Sequence, residues 1–241
     1  MNPQVFGKEH LTYVIICVVA AVLICVLSKI FAKTEKAQQI VVRCAGGVLF
    51  AIIFANRLAL VFEHENANWL KIITDSFCST SSYVFSIAAL FGKKDNSVLH
   101  FLWFVCLAGG LITTFYPNFI GQHPSFMYPP TILGMLHHTF SAVVSILILM
   151  FGWVKPSIKR WKATIIGMLA YLSYGAFLMC VLGYGNPFYM TKPAIDGTPF
   201  TAWVIIPIYL VVHTGIVLVF EFVRKRKQKK LCNNQQAAEQ N

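Results

Sequence analysis

Seven long apolar stretches, at 11–32, 40–63, 69–91, 97–117, 131–153, 161–184 and 200–222, dominate this sequence. A helix needs about 20 mostly apolar residues to cross a bilayer, and each stretch reaches that length. The first is longer than a signal-peptide core of roughly 7–15 residues and has no small-x-small cleavage site, so it reads as a helix. Composition agrees. Charged residues are 12% of the 241, hydrophobic residues 57%, and mean hydropathy is +0.65, where a soluble domain carries roughly 25% charged residues. The expected fold is all-α: a polytopic seven-transmembrane-helix bundle forming one domain over 1–222, with a basic tail at 223–241 whose low-complexity end is expected to fray. Such a chain is a multi-pass protein of the cell membrane.

A net charge of +11 would suggest a polyanion partner in a soluble protein. Here the basic residues flank the apolar stretches, and no nucleic-acid partner is expected. One set of alternate connections holds Lys29, Lys33 and Lys36, then Lys93 and Lys94, then Lys155, Lys159, Arg160 and Lys162. The tail adds Arg224, Lys225, Arg226, Lys227, Lys229 and Lys230 to the same side. The other side has only Lys8, Lys71 and Lys192. By the excess of basic residues on the cytoplasmic side, the N-terminus is expected outside and the tail inside. Cysteine usage gives no disulfide framework or CxxC metal site: six of the seven fall in apolar stretches, and Cys232 lies in the tail.

Ionisable groups at membrane depth are costly and mark function by default. At about 1.5 Å per residue, Arg57 and Asp75 lie about 9 Å below the outer face, Cys78 about 13 Å, and His137 and His138 about 9–10 Å. Three stretches thus bring them to one layer in the outer half of the membrane. Helical spacing predicts Asp75, Cys78, Ser79 and Ser82 along one face of the third stretch. His137 and His138 point about 100° apart, so one of them shares the inward position, with His138 preferred because Leu133, Leu136 and Phe140 crowd its neighbour.

A thiol beside an imidazole and a carboxylate is a nucleophile arrangement. The base forms thiolate, which attacks an acyl carbon, and the imidazolium then protonates the leaving group. Arg57 can lower a thiol pKa or hold a phosphate, and Asn56, Ser82 and Asn186 add candidate binding groups. The plain alternatives are packing cysteines and an Arg57–Asp75 ion pair that only joins two helices. Among the other histidines, His213 reads as a satisfied packing residue, His100 as interfacial and His123 as a solvated loop residue. No HExxH, P-loop or Rossmann fingerprint is present, so neither metal nor cofactor is expected.

The outer connections are rich in proline and aromatics: TFYPNFIGQHPSFMYPPTI, and GYGNPFYMTKPAIDGTPF with Pro187, Pro193 and Pro199. They read as an aromatic girdle with rigid turns or as a lid over the polar layer. Two glycine pairs, Gly46-Gly47 and Gly109-Gly110, permit close helix approach.

Taken in order, FCSTSS around Cys78, YPNFIGQHPSFMYPP leading into LHHTFSAVV, and YGNPFYMTKP before the last stretch resemble the YwaF-type bacterial integral membrane proteins. These are similar to the vertebrate transmembrane ether-phospholipid acyltransferase. The resemblance spans about 40 to 222 and rests on order and spacing. It implies a catalytic pair at Cys78 and His138, with His137 as the fallback, and a binding role at Asn186, which is followed here by Pro187 where that family has tyrosine. Thr74, Asp75, Ser76 and Phe77 replace the proline and polar residue that precede its cysteine.

The leading expectation is a lipid acyltransferase or acyl hydrolase acting on membrane lipid, a phospholipid or acyl chain, with Cys78 as nucleophile, His138 as base, Asp75 as its orienter and Arg57 as head-group partner. The competing expectation is a transporter or small-ligand-binding membrane protein that uses the same pocket without covalent chemistry. A third is a structural or partner-binding membrane subunit.

Overall fold

Local capping chemistry decides where most of the helices begin. The structure, a computed structural model, describes residues 6–63, 65–117 and 125–239, with side chains to Lys229; His123 and most of its loop lie outside the described residues. Among the described residues the chain is all-helical, with seven α-helices: α1 Lys8–Phe31, α2 Glu35–Val61, α3 Phe77–Phe91, α4 Ser97–Phe115, α5 Pro129–Met150, α6 Trp161–Cys180 and α7 Ala202–Glu239. The side chains of Thr34, Ser76 and Asn96 accept first-turn N–H groups of α2, α3 and α4, supplying acceptors for donors that a helix start leaves unpaired. Proline opens α5, where its missing N–H costs nothing.

Six of these helices are long and apolar enough to cross a membrane; α3, with 15 residues, is shorter. The exception has a local cause. The third apolar stretch was expected to be helical from 69, but Trp69–Ile72 forms a 3₁₀ turn and the chain runs extended to Ser76. Thr74, Asp75 and Ser76 are residues whose short polar side chains compete with helical backbone bonding. Ser76 resolves the competition by capping α3: its Oγ accepts the Ser79 N–H at 3.3 Å. Asp75 therefore lies before the helix, not on its face. The last helix, α7, is continuous from the apolar stretch through the basic segment to Glu239.

α2, α3, α4 and α5 form the packed centre, with α6 against α4 and with α1 and α7 at the margins. Leu49, Ile53, Phe85, Leu99, Leu102, Trp103, Leu147 and Ile148 fill the centre and are almost fully buried. α1 buries only His10 and Tyr13, while Ile15, Val19, Val22, Val26 and Ile30 around it are exposed. An apolar helix with so little protein contact belongs in lipid, and the chain is a multi-pass membrane protein.

Ties between connections define two ends of the bundle. At one, Lys94 pairs with Glu35 at 2.8 Å, Arg160 with Asp95 at 2.7 Å, and Ser157 Oγ donates to Glu221 at 2.8 Å. This end gathers the basic connections. At the other, Phe188 N–H donates to the Asp75 carbonyl at 2.8 Å, Asn56 Nδ2 to the Pro130 carbonyl at 3.1 Å, and His10 Nε2 lies 3.0 Å from the Thr114 carbonyl.

Candidate functional site

The thiol of Cys78 sits in the first turn of α3, where the Ser76 cap fixes the start of the helix. It faces a cavity of about 390 Å³ between α3, α4, α5, α6 and α7, walled mainly by apolar side chains including Val105, Ile112, Met168 and Ile206. His138 of α5 lines the same cavity, as do Ser76, Thr113, Tyr189 and Tyr209. Two consecutive glycines of α4 allow this meeting. A Cβ on Gly109 would lie 3.1 Å from Cys78 Sγ, and one on Gly110 would lie 2.4 Å from the His138 carbonyl oxygen. Gly109 thus leaves room for the thiol, and Gly110 lets α5 approach closely at the histidine.

The two histidines do not diverge as far as ideal helical spacing suggests. Their rings tilt together with centroids 4.1 Å apart. His138 reaches the cavity, while His137 is buried with its Nδ1 unpartnered among the described residues.

Arg57 and Asp75 form a neighbouring charge pair. Arg57 Nη1 stands 3.8 Å from Asp75 Oδ1, with the guanidinium side chain 9% exposed and the carboxylate 43%. That separation is too long for a hydrogen bond, and the buried Nε of Arg57 has no partner among the described residues. Asp75 makes no hydrogen bond to either histidine, so it does not orient the imidazole as the sequence reading expected.

The remaining candidates serve the scaffold. Ser82 Oγ lies 2.8 Å from Ser141 Oγ, which donates to the His137 carbonyl at 2.6 Å. Ser82 therefore faces α5, whereas Cys78 faces the cavity. The two lie one turn apart on the same face of α3, with Ser82 taken up by the α5 contact. Asn56 ties α2 to the start of α5. Asn186 accepts N–H bonds from Thr191 at 3.0 Å and Lys192 at 2.9 Å, and donates to the Lys192 carbonyl at 3.2 Å, so its amide organises the connection before α7.

That connection also supplies residues which apolar patterning alone did not single out. Phe188 and Tyr189 both hold positive φ, 53° and 59°, a costly conformation for bulky residues that persists only where the surroundings impose it. Phe188 is buried among the rings of Phe77, Tyr171 and Tyr174, with centroids 5.1–5.8 Å away. Tyr189 consequently forms part of the cavity wall. The run GNPFYM is the sequence signal, since proline and asparagine next to aromatics mark an ordered turn.

Two further histidines are packed within protein. His100, in the first turn of α4, is buried, and its Nε2 accepts the Ser157 N–H at 3.2 Å. His213 lies among Trp103, Phe104 and Tyr209, but its Nε2 is unpartnered among the described residues. Among those residues no three His, Cys, Asp or Glu side chains converge to hold a metal ion.

A family model described as the TMEM164 family matches residues 5–223, almost the whole helical bundle. The chain belongs to the TMEM164 family. No curated protein and no solved structure matches it. The match takes in α1, which the resemblance read from residues 40 to 222 left out, and it includes Cys78, Gly109, His138 and the Phe188–Tyr189 turn in one continuous region.

Proposed function

We propose that this TMEM164-family protein crosses the cell membrane seven times, with its N-terminus outside and its basic tail in the cytoplasm, and transfers acyl groups of membrane lipid through Cys78. The single observation that carries the reading is the joint placement of Cys78 and His138 on one cavity, opposite Gly109 and Gly110. The resemblance to YwaF-type proteins and to the ether-phospholipid acyltransferase points to the same two residues. The gathering of the basic connections at one end of the bundle supports the orientation.

The chemistry follows from the groups present. His138 takes the thiol proton of Cys78, and the thiolate attacks the carbonyl carbon of a lipid ester. The ester C–O bond breaks, an acyl-thioester remains on Cys78, and the imidazolium returns its proton to the departing lipid hydroxyl. A second lipid hydroxyl, or water, gives its proton to His138 and attacks the thioester carbonyl; the C–S bond breaks, and the imidazolium returns the proton to the Cys78 thiolate. The apolar cavity wall receives the acyl chain, while Arg57 and Asp75, which are not among the residues lining that cavity, form a separate charge pair.

One observation favours the non-covalent reading. Arg57 is a buried cation whose partner stands at 3.8 Å, an arrangement suited to an anionic ligand even where no thioester forms. The deciding experiment incubates the membrane-embedded protein with a clickable phospholipid. A hydroxylamine-labile label on Cys78, absent from Cys78→Ser, supports acyl transfer; lipid turnover unchanged by Cys78→Ser eliminates it in favour of ligand binding at Arg57 and Asp75.

A further inference from the structure

A second and larger cavity, about 900 Å³, runs between α3, α4 and α6. The hydrogen bond between Ser81 Oγ and the Tyr171 hydroxyl, with the Phe77 ring edge-on to Tyr171, separates it from the Cys78 cavity. Its wall on α6 extends from Lys162 through Ala163, Ile166 and Ala170 to Tyr174, roughly 18 Å of helix at about 1.5 Å per residue. Between its ends the lining is almost wholly apolar. Ile166 is 64% exposed, so the groove opens sideways toward the surrounding lipid.

The two ends differ in charge chemistry. The Lys162 end lies with the Asp95–Arg160 and Glu35–Lys94 pairs, at the basic end of the bundle. Lys162 itself makes no ion pair among the described residues. Sharing that mouth are Ser97 and Val98, the first two residues of α4. Helix geometry gives their N–H groups no intrahelical acceptor, and the helix start carries partial positive charge. A lysine and a helix start whose Ser97 and Val98 N–H groups stay free among the described residues while Asn96 caps Leu99, on an apolar groove one acyl chain long, complement a single type of occupant.

We propose that this groove binds one anionic phospholipid from the leaflet at the basic end of the bundle. Its phosphate sits between Lys162 and the start of α4, and one acyl chain lies along α6 toward Tyr174. The second chain remains in the bilayer through the open side. The site is independent of the thiol chemistry and does not require it.

The test is native mass spectrometry of the full-length protein with added phosphatidylglycerol, phosphatidylethanolamine or oleate, and with glycerol phosphate as a chainless competitor. Wild type should retain one phosphatidylglycerol about fivefold better than phosphatidylethanolamine, the factor of one lysine's attraction to an anionic lipid. Lys162→Gln should erase that preference, and Ala170→Phe, which fills the groove, should weaken both lipids. Cys78→Ser should leave retention unchanged, which separates this site from the acyl-transfer reading, and glycerol phosphate should not compete. Equal retention of the two phospholipids by wild type, an undiminished preference in Lys162→Gln, stronger binding of oleate, or displacement by glycerol phosphate would each overturn the proposal.

Discussion

Gly109 and Cys78 are complementary across the α3–α4 contact: a single added methyl carbon on the glycine would stand 3.1 Å from the sulfur. Gly109→Ala should therefore leave the fold intact while pressing on the thiol. The expected outcome is slower alkylation of Cys78 and less acyl-thioester, with little change in thermal midpoint. Unchanged alkylation of Cys78 in a folded Gly109→Ala protein would show that the contact does not govern access.

The glycine pairs should divide sharply on substitution. A Cβ at Gly110 would meet the His138 carbonyl at 2.4 Å, and one at Gly46 would meet the Leu90 nitrogen and Ala89 Cβ at 2.9 Å. At Gly47 the nearest contact is an ordinary 3.7 Å from Leu90 Cδ1. Gly110→Ala and Gly46→Ala should each cost about 1–3 kcal/mol through overpacking, while Gly47→Ala should be nearly silent in thermal unfolding in detergent.

Arg57 and Asp75 should separate stability from ligand recognition. Because Asp75 is 43% exposed, Asp75→Asn should lower stability by about 1 kcal/mol or less. Arg57→Gln removes the buried cation and should reduce lipid turnover or ligand retention far more than Asp75→Asn does. Equal, small effects from both on lipid assays would reduce the pair to a helix tie.

The Phe188–Tyr189 turn gives opposite expectations at adjacent positions. Phe188→Ala removes a ring buried among three others and should cost about 3–5 kcal/mol. Tyr189→Phe keeps the ring and the turn while removing a hydroxyl from the wall of the Cys78 cavity. Calorimetry should show stability kept while lipid turnover falls.

Orientation is testable with reporters. One fused after Lys230 should behave as cytoplasmic and one before Leu11 as external; finding both ends on the same side would dismiss seven crossings.

Hydropathy makes the helices legible because crossing a bilayer demands long apolar runs, and that demand outweighs local preferences in six of the seven. The third yields to a local competition instead. Ser76 caps Ser79, and so detaches Asp75 from the helix on which spacing alone would place it. Depth reckoning brings Cys78 and His138 to one layer, but it carries no azimuth. It could not tell that Ser82 faces Ser141, nor choose between an Asp75–histidine contact and the Arg57–Asp75 pair. Nor could it find Tyr189, whose place depends on a turn that Phe188 anchors among rings of α3 and α6.

The brevity of α3 has a mechanical side. Its 15 residues give about 22 Å of helix, against roughly 30 Å of hydrocarbon. With α3 as a crossing, the difference falls to the extended segment before Ser76, whose open amides require protein or water around them. Lipid beside such a crossing would have to compress, while lipid beside α1, with 24 residues, would not. The bilayer would then meet this protein at two thicknesses, with the thin side beside the thiol.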